Sequence, residues 1–340
     1  MSTDLFNVVV VGVTGLVGSE IVKVLAERQF PVAQLRGYAS ERTAGGEVEA
    51  GDLSLSVDLL ERADFEGVDI AFFAAPEQVT AEWAGRATAA GATVIDLSQL
   101  YANAIDVPLV VPEVNPGAVS EYDARHIIAS PTAAALQLAV VLSPLRDAAG
   151  LKRVVVTSYE PVSEAGRAGI DALSQQTIDL LAGRSPEVHL FRDRIAFSLL
   201  PQVGEFLERG YTRAEHQLME QTARLLDHAG LAITATSLRV PLFYGISQSV
   251  NVETVEPLTA EAAREVLRSA PGVLLQDDPA QEEYPTPISA IGTDATCVGR
   301  IRDDPSIECG LNLWIVGDNV RKGSAINAVA IAEILVRDYL

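Results

Sequence analysis

Val8-Val9-Val10-Val11-Gly12-Val13-Thr14-Gly15-Leu16-Val17-Gly18 is the stretch whose reading decides the fold. The unbroken valines after Asn7 predict a strand over residues 7–12 that is buried on both faces, since no polar side chain interrupts them. Glycines at every third position then predict a tight turn into a helix over residues 19–28. A strand, glycine turn and helix start in this order can receive a pyrophosphate. Backbone N–H groups and the positive helix end face the ligand, and the missing Cβ atoms allow close approach. Gly12, Thr14, Gly15, Leu16, Val17 and Gly18 are the candidate contacts.

Outward from this turn, strand and helix periods alternate, with strands expected at 35–38, 68–74, 93–96 and 107–111 and a helix at 77–90. Alternation of this kind predicts β-α-β units and hence a doubly wound, Rossmann-type α/β domain. The second strand ends in Ser40-Glu41-Arg42-Thr43-Ala44-Gly45, where a NAD-selective site sets an acid against the ribose hydroxyls. Arg42 is instead able to clamp a 2′-phosphate. From Lys152 onward, strands at 152–159, 231–240 and 248–255 and helices at 167–182 and 212–228 predict an α+β domain, a mixed sheet with helices on one face. The acidic, proline-rich stretch 277–287 reads as an exposed loop, and Thr259 ahead of Glu261 reads as a helix start. A last apolar helix at 322–339 is expected to be buried against the first domain. The expected domains are residues 1–130 with 320–340, and residues 131–319.

With 48% hydrophobic residues and a mean hydropathy of +0.21, the 340 residues have enough apolar material for globular domains, and no run reaches the length of a membrane span. A net charge of −21, from 25 basic and 46 acidic side chains, repels phosphate backbones and anionic membranes. Neither nucleic acid nor membrane is expected as a partner, and the expected compartment is the cytoplasm. The 2 cysteines and 4 histidines show no metal-ligand spacing, so no metal is expected.

Three segments lie where chemistry is expected. Ala129-Ser130-Pro131-Thr132-Ala133-Ala134-Ala135-Leu136-Gln137 enters a predicted helix with nothing nucleophilic at its centre. Arg239-Val240-Pro241-Leu242-Phe243-Tyr244-Gly245-Ile246-Ser247 ends on an aliphatic residue and a serine, and Ser158-Tyr159-Glu160-Pro161-Val162-Ser163-Glu164-Ala165-Gly166 carries two carboxylates. Together with Asp96-Leu97-Ser98-Gln99-Leu100-Tyr101-Ala102, Tyr211-Thr212-Arg213-Ala214-Glu215-His216-Gln217 and the tail Trp314-Ile315-Val316-Gly317-Asp318-Asn319-Val320-Arg321-Lys322-Gly323-Ser324, these segments resemble the aspartate-semialdehyde dehydrogenase family over essentially the whole chain.

The resemblance implies a set of losses. Ala133 stands where the family carries the Cys that forms a thioester, Ile246 where it carries an acid-base His, and Glu160 where an amide orients the acyl group. Glu164 replaces a glycine beside the nicotinamide. Ser40, Arg42, Thr43, Ala75, Pro76, Ser163, Gly166 and Asn319 match positions implied to touch the cofactor. Arg239 matches an Arg for the substrate carboxylate and Glu215 a Glu for its amino group. Read without the family, Arg239 is an ordinary partly buried ion-pair residue and Glu215 a first-turn helix acid. Ala102 and Gln217 stand where an Arg and a Lys hold phosphate. No residue at the family's reacting positions is therefore expected to be catalytic. The chain looks like the non-catalytic, Usg-type bacterial branch of the family: a homodimer that binds NADP, with NAD or no cofactor left open, and that serves a small-molecule or protein regulator. The alternative expectation is a weakly active or altered-substrate NADP-dependent dehydrogenase or reductase.

Overall fold

A computed structural model describes residues 5–50 and 53–340 and divides the chain into two units, Met1–Thr132 with Ser324–Leu340, and Ala133–Gly323. The first unit is built on a seven-stranded sheet of β1 (Phe6–Val11), β2 (Val32–Ala39), β3 (Glu47–Ala50), β4 (Leu53–Leu59), β5 (Ile70–Phe73), β6 (Thr93–Asp96) and β7 (Ile127–Ala129), in the order β3-β4-β2-β1-β5-β6-β7. All neighbours are parallel except β3 and β4. The chain leaves β1 to one side for β2 and returns to its other side for β5, so the two halves of the sheet diverge at the carboxyl ends of β1 and β5. Ligands bind in that crevice in doubly wound sheets. Helices α1 (Leu16–Glu27) and α2 (Glu77–Ala89) make the crossovers. Val8, Val10, Ile21, Leu25, Phe72 and Ile95 form the core together with Val329, Ile331, Ala332 and Leu335 of the C-terminal helix Asn327–Asp338, each at most 1% exposed.

The strand expected over 107–111 does not form. Only Leu109 bridges to Ala129, and the short β7 takes the sheet edge instead. Pro108 and Pro112 bracket the segment and cannot donate to a ladder. Its backbone exchanges only two hydrogen bonds with Ala129 of β7, and the Asn115 side chain takes two more groups: Oδ1 accepts the Val111 N–H at 2.9 Å while Nδ2 donates to the Leu109 carbonyl at 2.9 Å.

The second unit is a six-stranded mixed sheet of β8 (Leu151–Glu160), β9 (Ala232–Arg239), β10 (Ile246–Thr254), β11 (Val273–Leu275), β12 (Thr296–Asp303) and β13 (Gly310–Gly317), in the order β11-β12-β13-β10-β8-β9. Helix α3 (Ala133–Ala149) packs against β8, β10, β12 and β13. Helix α4 (Gly166–Leu181) follows the turn after β8, α5 (Arg213–Leu225) covers β9, and α6 (Ala260–Arg268) covers β11 and β12 with Thr259 as its cap, its hydroxyl accepting the Ala262 N–H at 3.2 Å. The loop expected over 277–287 is exposed from Pro279 to Tyr284, but it begins on a buried anchor. Asp277 has a side chain only 1% exposed and accepts from the Arg300 and Ile301 N–H groups and from Arg264 Nε. Among the described residues, no helix is long and apolar enough to cross a membrane.

Candidate functional site

In the first unit, the glycine turn is held by contacts that only glycine permits. Gly12 has φ +84°, and a Cβ there would strike the Ala74 carbonyl at the end of β5, while a Cβ on Gly18 would strike the Gly12 carbonyl. Gly15 caps α1 without any side-chain hydrogen bond, so the first-turn N–H groups of Leu16, Val17 and Gly18 have no intrahelical partner, the arrangement by which a helix start can receive an anion. Thr14 Oγ1 lies 2.8 Å from Thr43 Oγ1, which ties this turn to the segment after β2. Ser40 and Arg42 on that segment are exposed, and Ala75 and Pro76 follow β5, with Pro76 capping α2. The candidates from Gly12 to Gly18, from Ser40 to Thr43, and Ala75 with Pro76 thus share the carboxyl ends of β1, β2 and β5. Ser163, Gly166 and Asn319 belong to the second unit.

The second unit gathers the remaining candidates on the helix-covered face of its sheet. Glu160 pairs with Arg239 across the parallel strands β8 and β9, and Ile246 pairs with Gly317 across β10 and β13. Ser247 pairs with Tyr159 in the antiparallel β8–β10 ladder, so its next step sets Ile246 beside Glu160. One row across four strands therefore reads Gly317, Ile246, Glu160, Arg239. Two residues deeper on the same face, the row reads Ile315, Gln248, Ser158, Ser237. The first turn of α3 lies over these rows: Gln248 Nε2 donates to the Ala134 carbonyl at 2.9 Å, and a Cβ on Gly317 would sit 2.7 Å from Gln137 Oε1. Ala133 begins that turn, 7% exposed, with Gly323 packed so closely that a Cβ there would run into its methyl.

Glu160 is the chemically unusual residue of the row. It is 5% exposed, and burial pushes its carboxyl from the ordinary 4.5 to about 7; the Arg239 charge opposes the shift and the Glu164 charge adds to it. The hydroxyls of Ser237 and Ser158 stand near enough to pull the value down, although neither makes a well-formed hydrogen bond. The folded chain therefore holds this proton more tightly than the unfolded chain does. The stability tied to the protonated group is fully present below 4.5 and is lost as the pH rises to about 7. The loss amounts to about 3 kcal/mol. Urea unfolding of the protein and of Glu160→Gln at pH 5 and pH 8 should show the wild-type chain losing about 2.5 kcal/mol relative to the variant, part of the loss already falling below pH 5, and a constant difference would contradict the placement.

Around this row, Asn319 acts as a tether. Its Oδ1 accepts the Gly245 N–H at 3.0 Å, and its Nδ2 donates to Ser163 Oγ at 3.0 Å and to Glu164 Oε1 at 2.6 Å. Gly166, with φ +69°, turns the chain into α4. Glu215 is committed to the backbone: Oε2 accepts the Thr212 N–H at 2.6 Å and Oε1 the Ser237 N–H at 2.9 Å, which completes a capping box on α5. Its first-turn reading describes what the carboxylate does here. Arg239 is 7% exposed, and its Nη1 donates to the Pro161 carbonyl at 2.7 Å. Among the described residues it makes no ion-pair contact, where a partly buried pair is expected, and its charge acts on Glu160 and Glu164 without direct contact. Gln248, Ser158 and Ser237 were not singled out by the sequence. Their signal was present as polar residues two places before Glu160 and Arg239 and two after Ile246, each followed two places deeper by the apolar Val156, Ala235 or Val250.

Comparison with known proteins gives this geometry a setting. A family model described as the semialdehyde dehydrogenase NAD binding domain matches residues 7–122, and one described as the semialdehyde dehydrogenase dimerisation domain matches residues 142–322. A protein described as aspartate-semialdehyde dehydrogenase from Aquifex aeolicus is 44% identical over 337 residues, covering 98% of this chain and 99% of its own. The crystal structure of aspartate semialdehyde dehydrogenase II from Vibrio cholerae, complexed with ASA, superposes with a TM-score of 0.96 at 43% identity, covering 99% of this chain and 100% of that one. A probable aspartate-semialdehyde dehydrogenase from Pseudomonas aeruginosa gives 0.94 at 38%, with 99% and 100% coverage.

Proposed function

The chain belongs to the aspartate-semialdehyde dehydrogenase family, and from that premise we propose that it is a dinucleotide-binding homodimer that has lost the family's acyl chemistry and acts by binding. The observation that carries this reading is the row beside Ala133. A methyl stands at the start of α3, a fully buried Ile246 offers no proton carrier, and Glu160 brings negative charge to the same place. Thioester chemistry needs a thiolate and a group to manage protons. Thr132 and Ser130 offer oxygens, but the position that carries the family's acid-base group holds Ile246. The chain is thereby assigned to the non-catalytic, Usg-type branch.

NADP is the proposed cofactor. Arg42 is exposed beside Thr43, whose hydroxyl meets that of Thr14 in the glycine turn, so its guanidinium is available for a 2′-phosphate. In a fluorescence titration, NADP should bind and Arg42→Ala should weaken it about tenfold while leaving NAD nearly unchanged, the worth of one charge-assisted contact. Equal loss for both nucleotides would remove the selectivity argument, and no binding of either would reduce the protein to a scaffold. The dimerisation domain supports the homodimer, and a small-molecule or protein regulator is its proposed output. A second reading, an altered-substrate NADP-dependent reductase, draws on the unpaired Arg239. Turnover of a carbonyl compound with NADPH decides between the two.

A further inference from the structure

Ser249 pairs with Trp314 across β10 and β13, one residue along from the pair Gln248 and Ile315, so both lie on the face of the second unit's sheet that α3 does not cover. There they line a cavity of about 390 Å³, together with Tyr284, Pro285 and Pro287 from the segment between β11 and β12 and with Arg300 and Arg302 of β12. The indole is fixed in place: Trp314 Nε1 donates to the Pro285 carbonyl at 3.1 Å, and the Tyr159 ring supports it from the neighbouring part of the sheet at 5.8 Å between centroids.

Both arginines reach this cavity because β12 departs from a regular strand. Gly299 opposes Trp314 and Arg302 opposes Asn312, so three steps along β12 match two along β13, and the extra residue returns Arg302 to the face of Trp314. Plain alternation from Gly299 would set Arg302 on the helix-covered face. Arg300 sits in the bulge with φ +53°, and the buried Asp277 carboxylate keeps it there by accepting the Arg300 and Ile301 N–H groups at 2.7 and 3.1 Å.

The chain carries 46 acidic side chains against 25 basic ones, yet neither of these arginines forms an ion pair among the described residues. Arg302 Nη1 donates to the Arg300 carbonyl at 2.6 Å, and its charge acts on Asp304 from beyond contact. An exposed arginine alone is merely solvated. Two of them at a concave site walled by a tryptophan, a tyrosine and two prolines make a different arrangement, an apolar pocket with convergent donors for an anion.

We propose that this cavity binds a small aromatic carboxylate, with its ring against Trp314 and Tyr284 and its carboxylate on the guanidinium groups of Arg300 and Arg302. The inference rests on the proposed function for its role, since it names the class of small molecule to which a chain acting by binding would respond. A second copy of the chain is the competing occupant, because the cavity lies within the segment matched by the dimerisation-domain model.

Isothermal titration of the full-length protein with 2-naphthoate and phenylacetate, against 2-naphthalenemethanol and acetate and with and without saturating NADP, is the test. The aromatic acids should bind about tenfold or more tighter than the neutral ring compound or acetate, and NADP should leave their affinity unchanged. Arg302→Ala and Arg300→Asn, the latter tolerant of the positive φ, should each weaken the acids about tenfold while keeping the wild-type melting temperature and NADP affinity. The neutral ring compound binding as tightly as the acids, binding that both variants leave unchanged, displacement of the acids by NADP, or no binding of either acid overturns the site. Sedimentation of the same samples reads the competing occupant: binding confined to the monomer gives the cavity to a second copy and overturns the site as well. Reduction of NADP with aspartate semialdehyde and phosphate overturns the proposed function instead, so the two failures are read by different assays.

Discussion

Ala133→Cys by itself is expected to leave NADP reduction with aspartate semialdehyde and phosphate at background, whereas Ala133→Cys combined with Ile246→His and Glu160→Gln should raise it by roughly 10⁴ or more. The size of the effect follows from what each residue must do. Removing the nucleophile of a serine protease costs about 2 × 10⁶ in turnover, which is roughly 8 to 9 kcal/mol of barrier. A thiol placed alone at position 133 would recover little of this. The buried Ile246 has no proton to exchange, and an ionised Glu160 in the same row raises the pKa of a neighbouring thiol. The imidazole supplies a proton carrier, and the amide removes the opposing charge. Phosphate would still bind weakly, because Ala102 and Gln217 bring no cation to the family's phosphate positions, so the gain belongs in kcat more than in the phosphate KM. Background turnover of the unaltered protein within a factor of a hundred of the triple variant would sink the reading of lost catalysis. So would full rescue by Ala133→Cys alone.

The parts of this molecule that were legible in its sequence are those whose cause is local. The valines of β1, the glycine spacing and the start of α1 lie within a dozen residues of one another, and Thr259 caps α6 through an amide only three residues ahead. The false strand over 107–111 has a local cause as well, because its prolines were visible, but the Asn115 side chain that replaces its ladder was not an obvious competitor. The site was legible as identities and illegible as geometry. That Ala133 carries no thiol and Ile246 no imidazole is plain from residue type alone. That Glu160 lies between Ile246 and Arg239 depends on the register of three strands drawn from distant parts of the chain. The fate of Glu215 depends on the Ser237 N–H from another element, which no local pattern could supply. Side-chain identity is written in the chain, but whether a carboxylate is satisfied or left open is decided only when strands and helices meet.

The second large effect concerns the glycine turn rather than the row of Ile246, Glu160 and Arg239. Gly12→Ala should destabilise the protein by about 2 to 5 kcal/mol and bring NADP binding down with it, for two separable reasons. Its φ of +84° disfavours any Cβ, a strain of about 1 to 2 kcal/mol. The added methyl would also strike the Ala74 carbonyl, a backbone atom that moves only if β5 moves, and overpacking of this kind costs about 1 to 3 kcal/mol. Two other glycines separate these causes. Gly45 has φ +82° and open space around its missing side chain, so Gly45→Ala should show the strain alone. Gly85 lies inside α2 with nothing near it and no unusual φ, so Gly85→Ala should stabilise the chain by about 0.5 to 1 kcal/mol through a better helix residue. Denaturant midpoints of the three variants, with NADP titrations at matched folded fraction, test the order. If Gly12→Ala proved no worse than Gly45→Ala, the close approach of β1 and β5 at their carboxyl ends would be wrong, and with it the cradle proposed for the pyrophosphate. If Gly12→Ala unfolded the chain but left affinity intact in the folded fraction, the turn would be structural and the nucleotide would have to be held elsewhere.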